Sequence, residues 1–221
     1  MLFKKKEKKT IDLKVKEKGF EELSFSLPEQ LPQPNRGYRY ITNSCDGLVF
    51  SWIVKPEQAM NYDSIEDTIK LLRENLDENS GIIECKNGFT KNGNKFIYSI
   101  RKIRFYKKDQ PWPIVTYQLN CNVKIKDVDY FVDANFAEVA TTGLRDSIGF
   151  NIYQNLIEKK YPDKELEFEQ IVESYVSDPY DENYKQGFLM NFSENEMLDE
   201  KFPDHPLSEL RKYVRWLIEN N

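Results

Sequence analysis

Residues 114–125 read Ile-Val-Thr-Tyr-Gln-Leu-Asn-Cys-Asn-Val-Lys-Ile, and this stretch decides the fold class. Apolar residues take every second position, and polar residues fill the positions between them. The apolar set is Val115, Tyr117, Leu119, Cys121 and Val123, and the polar set is Thr116, Gln118, Asn120, Asn122 and Lys124. Successive side chains of a strand point to opposite faces, so the pattern predicts a sheet with one packed face and one wet face. Such half-wet sheets are typically antiparallel.

Similar patterns on both sides of this stretch predict the rest of the sheet. Strands are predicted at 38–41, 48–54, 82–85, 95–105 and 129–139. Asn87-Gly88 and Asn92-Gly93 supply turn residues, and Asp46-Gly47 predicts a hairpin turn between the first two strands. Parallel neighbours need crossovers of a dozen or more residues, and these connections are shorter. The strands are therefore predicted to pair antiparallel.

Three helices are predicted from apolar residues at helical spacing. The first covers 64–76, opens near Asp63 and Glu66 with capping-box spacing, and carries an apolar stripe at Ile65, Ile69, Leu72 and Leu76. The second covers 143–160, with a stripe at Leu144, Ile148, Ile152 and Leu156. The third runs from about Pro206 to Ile218, where proline suits the first helical turn.

Together these elements predict an α+β fold. We expect a twisted antiparallel sheet with helices packed mainly on one face, plus an acidic helical C-terminal extension. The predicted organisation is a basic lead-in with a candidate edge strand at 1–18, a core domain at 19–162, and the extension packed on the core at 163–221. Residues 1–18 hold eight lysines against three acids, and residues 163–221 hold fifteen acids against six bases.

Composition predicts a soluble cytoplasmic protein without a cofactor. No apolar run is long enough for a membrane span, and no apolar segment follows the N-terminal lysines to form a signal peptide. The three cysteines, Cys45, Cys85 and Cys121, are far apart and odd in number, which favours buried thiols over disulfides. The acidic C-terminal third disfavours nucleic acid and favours a basic protein partner, although solubility alone also explains it. The lysines at 4–9 leave open a weak contact with anionic lipid.

The order of elements across 38–160 resembles the PsbP-like fold. The resemblance rests on the strand Leu48–Val54, the helix Ser64–Leu76, the strand series and the helix after Thr142. That superfamily includes a photosystem subunit, a Ran-binding nuclear import factor and several bacterial proteins. Its members mostly act as binding or accessory modules, so the resemblance implies a binding function. The segment 163–221 lies outside the pattern.

One candidate small-ligand site lies at the predicted strand-to-helix junction. Thr141, Thr142, Gly143 and Arg145 combine hydroxyls, free backbone N–H groups and a guanidinium, which can together bind a phosphate or carboxylate. The segment lacks the glycine spacing of a P-loop or a dinucleotide fingerprint. The alternative is a structural role, in which threonine caps the helix and Arg145 forms an internal ion pair.

Two loops are candidates for contact with a partner. Trp112 lies between two prolines in a hairpin loop, where an aromatic can anchor a partner or fold back over its own sheet. Asp178, Tyr180, Asp181 and Glu182 form an acidic cluster, which lacks the glycine and the twelfth-position glutamate of a calcium loop. We therefore predict no metal there, and an ordinary Asx turn is the alternative to a partner site.

The sequence carries no recognisable catalytic motif. His205 is its single histidine, and either His205 or Asp204 is expected to cap the last helix. Asp133 and Glu138 are five residues apart, which places them on opposite faces of a regular strand. The leading hypothesis is a non-catalytic protein-binding or accessory module, such as an immunity or adaptor protein. The alternative is a small anionic-ligand-binding protein or an enzyme with a cleft near Arg145.

Overall fold

The computed structural model describes residues 13–24, 34–55, 58, 60–106, 108, 113–139, 143–162 and 166–221. Its main feature is a seven-stranded antiparallel sheet in the order β1-β2-β3-β7-β6-β5-β4. The strands are β1 (Glu21–Glu22), β2 (Arg36–Ile41), β3 (Cys45–Val54), β4 (Ser80–Phe89), β5 (Lys95–Phe105), β6 (Ile114–Ile125) and β7 (Val128–Glu138). The strands β4, β5, β6 and β7 pair in chain order, as their short connections predict, whereas β3 pairs with β7, which is far from it in the sequence.

Four helices and a small two-stranded ribbon complete the fold. The helices are α1 (Ile65–Glu74), α2 (Leu144–Lys160), α3 (Phe168–Tyr175) and α4 (Pro206–Asn220), and the ribbon pairs β8 (Val176–Ser177) with β9 (Met190–Asn191). Two short 3₁₀ turns, Phe192–Glu194 and Glu196–Leu198, join the ribbon to α4. The α+β fold predicted from the sequence is confirmed. No helix within the described residues is both long and apolar enough to cross a bilayer.

One prediction within the first hairpin is wrong. Asp46-Gly47 does not form the turn, because β3 already begins at Cys45 and the chain reverses at 42–44. A side chain at Gly47 would come within 2.8 Å of the Phe136 ring on the neighbouring strand. Glycine is therefore needed inside β3 so that this ring can pack flat on the strand.

The main core lies between α4 and one face of the sheet, which we call the packed face. Leu207, Leu210, Tyr213, Val214 and Leu217 of α4 are buried there against β3, β6 and β7. The alternating apolar residues of β6 all face this core. Three of them, Leu119, Cys121 and Val123, are fully buried.

The C-terminus also holds the start of the described chain. Leu13 and Val15 are buried in the main core, whereas Lys14 between them is exposed. Asn221 donates to the Lys14 carbonyl and accepts from the Lys14 N–H, and the Tyr213 hydroxyl donates to the Val15 carbonyl. This segment follows the alternation seen in the sequence, but it packs on α4 and forms no strand within the described residues; Ile11 lies outside them.

The opposite face of the sheet is partly open, and α1 covers the part of it near β4. Ser64 rather than Asp63 is the N-cap of α1, since its hydroxyl accepts from the Asp67 N–H. The predicted stripe of α1 is confirmed, because it packs on Ile82 and Cys85 of β4. We call this side, which carries Ser99, Asn120, Asn122 and Phe131, the open face.

The predicted apolar stripe of α2 is buried only in part, because Ile148 and Ile152 are half-buried and its two end members are not. Leu144 is 53 % exposed and Leu156 is 44 % exposed, and only Arg145 and Gly149 of this 17-residue helix are buried. A side chain at Gly149 would come within 2.6 Å of the Ser193 Cβ atom, so glycine permits the close contact of α2 with the first 3₁₀ turn. Arg145 and Gly149 therefore define the packed side near the start of α2, and Leu156 lies on the same side about two turns beyond Gly149 but remains exposed.

A network of buried ion pairs joins the C-terminal third to the sheet. The Lys102 Nζ atom lies 2.8 Å from Glu194 Oε2, and both side chains are almost fully enclosed. Asp199 Oδ1 accepts from Arg145 at 2.9 Å and from Arg211 at 3.0 Å, and Arg211 also contacts Glu84 at 3.1 Å. Removing one partner from such a pair leaves the other charge buried without compensation.

Lys102→Met should destabilise the fold strongly, because it leaves Glu194 without its cation. We expect a loss of about 3–5 kcal/mol in the free energy of unfolding, measured by urea denaturation. Lys86→Met is the matched control, because Lys86 is half exposed in its pairs with Glu84 and Glu196 and should cost under about 1 kcal/mol. Equal losses in the two variants would contradict a structural role for the buried pair.

Candidate functional site

The open face carries three cross-strand rows of side chains from β5, β6 and β7. Directly opposed residues in antiparallel strands lie on the same face, so each row is a set of neighbours. The rows are Arg101-Gln118-Asn135, Ser99-Asn120-Asp133 and Ile97-Asn122-Phe131. Seven of the nine side chains are polar, which concentrates hydrogen-bonding groups in the middle of the sheet.

A polar ladder links the first two rows. Arg101 donates to the side-chain oxygens of Gln118 and Asn120, at 2.5 and 3.3 Å. The amide nitrogens of the same two residues donate to Asp133 Oδ2, at 2.8 and 3.1 Å, and Asn135 donates to Asp133 Oδ1. Two amides thus bridge a guanidinium and a carboxylate, and this bridging determines the orientation of each amide.

Burial shapes the charges at the two ends of the ladder. It raises the pKa of Asp133, and the hydrogen bonds from Gln118, Asn120 and Asn135 act in the opposite direction. It lowers the pKa of Arg101, against the attraction of Asp133. The Arg101 Nε atom is buried and has no hydrogen-bond partner among the described residues. The ladder is therefore pre-organised but leaves hydrogen-bonding capacity unused.

A groove lies beside the ladder, between α1 and the open face. Its volume is about 160 Å³. Met60, Leu71, Leu72 and Phe131 are among its apolar lining, and Ser99, Asn120 and Asn122 contribute polar groups. An apolar pocket with a few convergent polar groups is the usual form of a small-molecule site. We call it the helix–sheet groove.

Tyr62 positions the chain that leads into α1 and so forms part of the architecture of the groove. Its hydroxyl donates to Asp129 Oδ1 on β7 at 2.8 Å, and its carbonyl accepts from the Asn87 side chain on β4. These two contacts anchor residue 62 across the end of the sheet. The following Ser64 cap then directs α1 over β4.

Sequence reasoning predicted a wet face on β6 but did not identify a site there. The signal was present in the polar set that alternates with the core residues, above all Gln118, Asn120 and Asn122. A strand face that only meets solvent usually carries residues such as lysine and glutamate, whereas this face carries three carboxamides at alternate positions. Which partners they meet depends on strand register, which the single sequence does not supply.

The structure removes Arg145 from the predicted anion site. Its guanidinium donates to the Ser193 and Asn195 carbonyls, to the Ser208 hydroxyl and to Asp199, all inside the protein. The internal ion pair that was the alternative is therefore the observed arrangement. The Gly143 N–H donates to the Glu138 carboxylate. Thr141 and Thr142 lie outside the described residues.

The acidic loop is tied to α1. Asp178 is buried, accepts from Arg73 at 2.7 Å and from the backbone N–H groups of Tyr180 and Asp181, and so forms an Asx turn. The Tyr180 hydroxyl accepts from the Cys85 N–H and donates to the Cys85 carbonyl, which protects the β4 edge.

Partner contact through the outer part of this loop stays a prediction. The Tyr180 ring is partly exposed and lines a groove of about 440 Å³ on the outer side of α1, and Glu182 is exposed. Trp112, the other predicted partner residue, lies outside the described residues. Within the described chain, no three His, Cys, Asp or Glu side chains lie close enough to hold a metal ion.

The three cysteine side chains are enclosed, and His205 is half-buried. All three thiols are buried as expected, and burial raises the pKa of Cys45, Cys85 and Cys121 to about 12. They are therefore protonated and weakly nucleophilic near neutral pH. His205 caps α4, as one of the two sequence alternatives predicted, because its Nδ1 atom accepts from the Leu207 N–H at 3.2 Å.

Comparison of the chain with models of known protein families finds no match, and a search of curated proteins finds no significant relative. The resemblance to the PsbP-like fold therefore stays a prediction from element order. The site must be interpreted from its own geometry.

His205→Asn should reduce the amount of unfolding free energy that the protein loses when the pH is lowered. Burial lowers the pKa of His205 to about 3, and the Arg145 and Arg211 charges act in the same direction. The unfolded imidazole takes up its proton near pH 6.5, so stability falls as the pH drops below that value until the folded pKa is reached. This one group should remove about 1–2 kcal/mol between about pH 7 and pH 5.

Asparagine keeps a capping acceptor at this position, so the variant should fold. Urea denaturation at both pH values measures the loss for each protein, and the difference between the two losses isolates the contribution of His205. An identical loss in the variant would show that His205 does not titrate as its burial implies.

Proposed function

We propose that this protein is a non-catalytic binding module that docks a basic protein partner on its α2–α3 hairpin. The observation that carries the proposal is the set of exposed apolar side chains on α2 and α3. A helix of 17 residues usually buries its apolar side against its own core. Here Leu144 and Leu156 remain exposed, and α3 adds Phe168 at 61 % and Val172 at 40 % exposure. Exposed apolar side chains grouped on one unit mark an interaction surface.

The hairpin is rigid enough to act as a preformed surface. The Phe150 ring contacts Phe168 and Tyr175 edge-on, at centroid distances of 5.9 and 5.1 Å. The Tyr153 hydroxyl donates to the Ser174 carbonyl at 2.7 Å. These contacts fix α3 against α2, and Arg145 fixes α2 to the protein interior. Little ordering is then required when a partner binds, which favours affinity.

The charges around the hairpin define the chemistry of the partner. Its exposed bases within the described residues are Lys159 and Lys160. Its exposed acids are more numerous: Asp146, Glu158, Glu167, Glu169 and Glu173. A partner with an apolar centre and a basic rim would complement this surface, and the opposite charges would accelerate the encounter. An adaptor-like role fits such a surface better than a nucleic acid ligand, whose phosphates the acids would repel.

Replacing both exposed leucines by Asp tests the proposal. We expect the immobilised wild-type protein to retain a basic protein from the native cell extract, with binding that weakens as salt is raised. The Leu144→Asp/Leu156→Asp variant should lose it, because the substitutions place charges in the apolar centre. Its unfolding free energy should stay within about 0.5 kcal/mol of wild type, since both sites are exposed.

Ile53→Asp/Phe89→Asp is the matched control, because those two residues are equally exposed on the sheet and distant in sequence from the hairpin. It should retain the partner. The proposal fails if the variant and the control capture the same proteins, or if wild type captures no basic protein. It also fails if sedimentation shows a dimer of this chain that the α2 variant abolishes, because a second copy would then occupy the surface.

A further inference from the structure

The helix–sheet groove contains buried polar groups that the protein leaves unpaired. Asn122 is 8 % exposed, and its side-chain amide makes no hydrogen bond within the described chain. Ser99 is buried beside it on β5, and its hydroxyl also has no partner among those residues. Neither the Asn122 amide nor the Ser99 hydroxyl is among the fully enclosed unpaired atoms of the described residues, so both reach the space of the groove and can pair with an occupant.

The neighbouring amides on the open face have hydrogen-bond partners within the protein, unlike the Asn122 amide. Gln118, Asn120 and Asn135 lie on the same face and all donate to Asp133. Asn122 is the next residue after Asn120 on the open face of β6, and its direct cross-strand neighbours, Ile97 and Phe131, are both apolar. Its one acceptor and two donors therefore remain available in the groove.

The lining excludes a charged occupant. Among the described residues, no lysine, arginine, aspartate or glutamate lines the groove. Moving an ion from water into such a site without a counter-charge is strongly unfavourable. A neutral molecule that pairs with the Asn122 amide has no such penalty.

Size and shape further limit the occupant. The volume of about 160 Å³ is close to that of an apolar cavity of about 150 Å³ that holds one benzene molecule in another protein. Leu71 and Leu72 of α1 lie on one side, and the Phe131 ring lies on the sheet side. A ring of about six atoms can occupy this volume, with one face against Phe131 and its polar edge towards Asn122.

We propose that the helix–sheet groove binds a small, uncharged ring compound with an adjacent hydrogen-bond donor and acceptor on one edge, as in a cyclic amide or a nucleobase. The Asn122 amide pairs with both groups of that edge, and the Ser99 hydroxyl supplies a further contact. This site is separate from the α2–α3 hairpin, so its test is independent of the proposed partner.

Uracil and 2-pyridone are the probes, with toluene as a ring without polar groups and benzoate as a charged ring. We expect millimolar uracil or 2-pyridone to shift the Asn122 side-chain amide resonance, which is assigned by its loss in Asn122→Leu. At about 100 times its Kd, the bound probe should raise Tm by about 5–10 °C. Toluene and benzoate should bind at least about tenfold more weakly.

Asn122→Leu keeps the side-chain shape and removes the amide, so it should fold with an unchanged or higher Tm and bind the probes at least about tenfold more weakly. Thr116→Val is the matched control on the same strand and face, outside the groove, and should bind as wild type does. If Asn122→Leu does not fold, Ser99→Ala serves as the second variant and should weaken binding. The proposal is overturned if no probe shifts the Asn122 resonance, if toluene binds as tightly as uracil, or if the folded groove variant binds as wild type does.

Discussion

The buried chain of charges through Asp199 is the interaction on which the arrangement of the C-terminal third depends. Asp199 accepts from Arg145 of α2 and Arg211 of α4, and Arg211 continues to Glu84 on the sheet. Together with the Lys102–Glu194 pair, the network holds three cations and three anions, so its formal charge is balanced. Buried charges are stable only when each lies against an opposite charge. The network therefore requires α2, α4 and the sheet to keep one relative position.

The same network determines how the start of α2 packs. Arg145 has four acceptors inside the protein, and these are available only when its side of the helix faces the 3₁₀ turns. Gly149 permits the close contact on the same side. Burying the charged guanidinium of Arg145 without its acceptors would cost more free energy than leaving one or two leucines exposed. Arg145 therefore determines which side of α2 faces the protein. Leu144 and Leu156 remain exposed on this helix, and together with Phe168 and Val172 of α3 they are the basis of the proposed partner surface.

The two proposed binding surfaces differ in their chemistry. The α2–α3 hairpin combines exposed apolar groups with an acidic rim, which suits a macromolecule that approaches from solution. The helix–sheet groove is small and uncharged, and it presents a single unpaired amide, which suits a small neutral ring. They lie on different elements, α2 and α3 in one case and α1 with β5, β6 and β7 in the other. A ligand in the groove and a partner on the hairpin therefore need not compete for the same atoms.

The sequence by itself determined the sheet, because period-two alternation in β6 and its neighbours reports which side chains are buried, whatever the partner strand. It also determined the bounds of β5 and β6 and the stripe of α1, and it limited the cap of α4 to Asp204 or His205, since each depends on residues close together in the chain. Only the tertiary structure decided that Arg145 turns inward, that Gly47 lies within a strand and that Asn122 lacks a partner. Those outcomes depend on contacts between residues far apart in sequence, such as Arg145 with Asp199 and Gly47 with Phe136, and periodicity carries no information about such contacts.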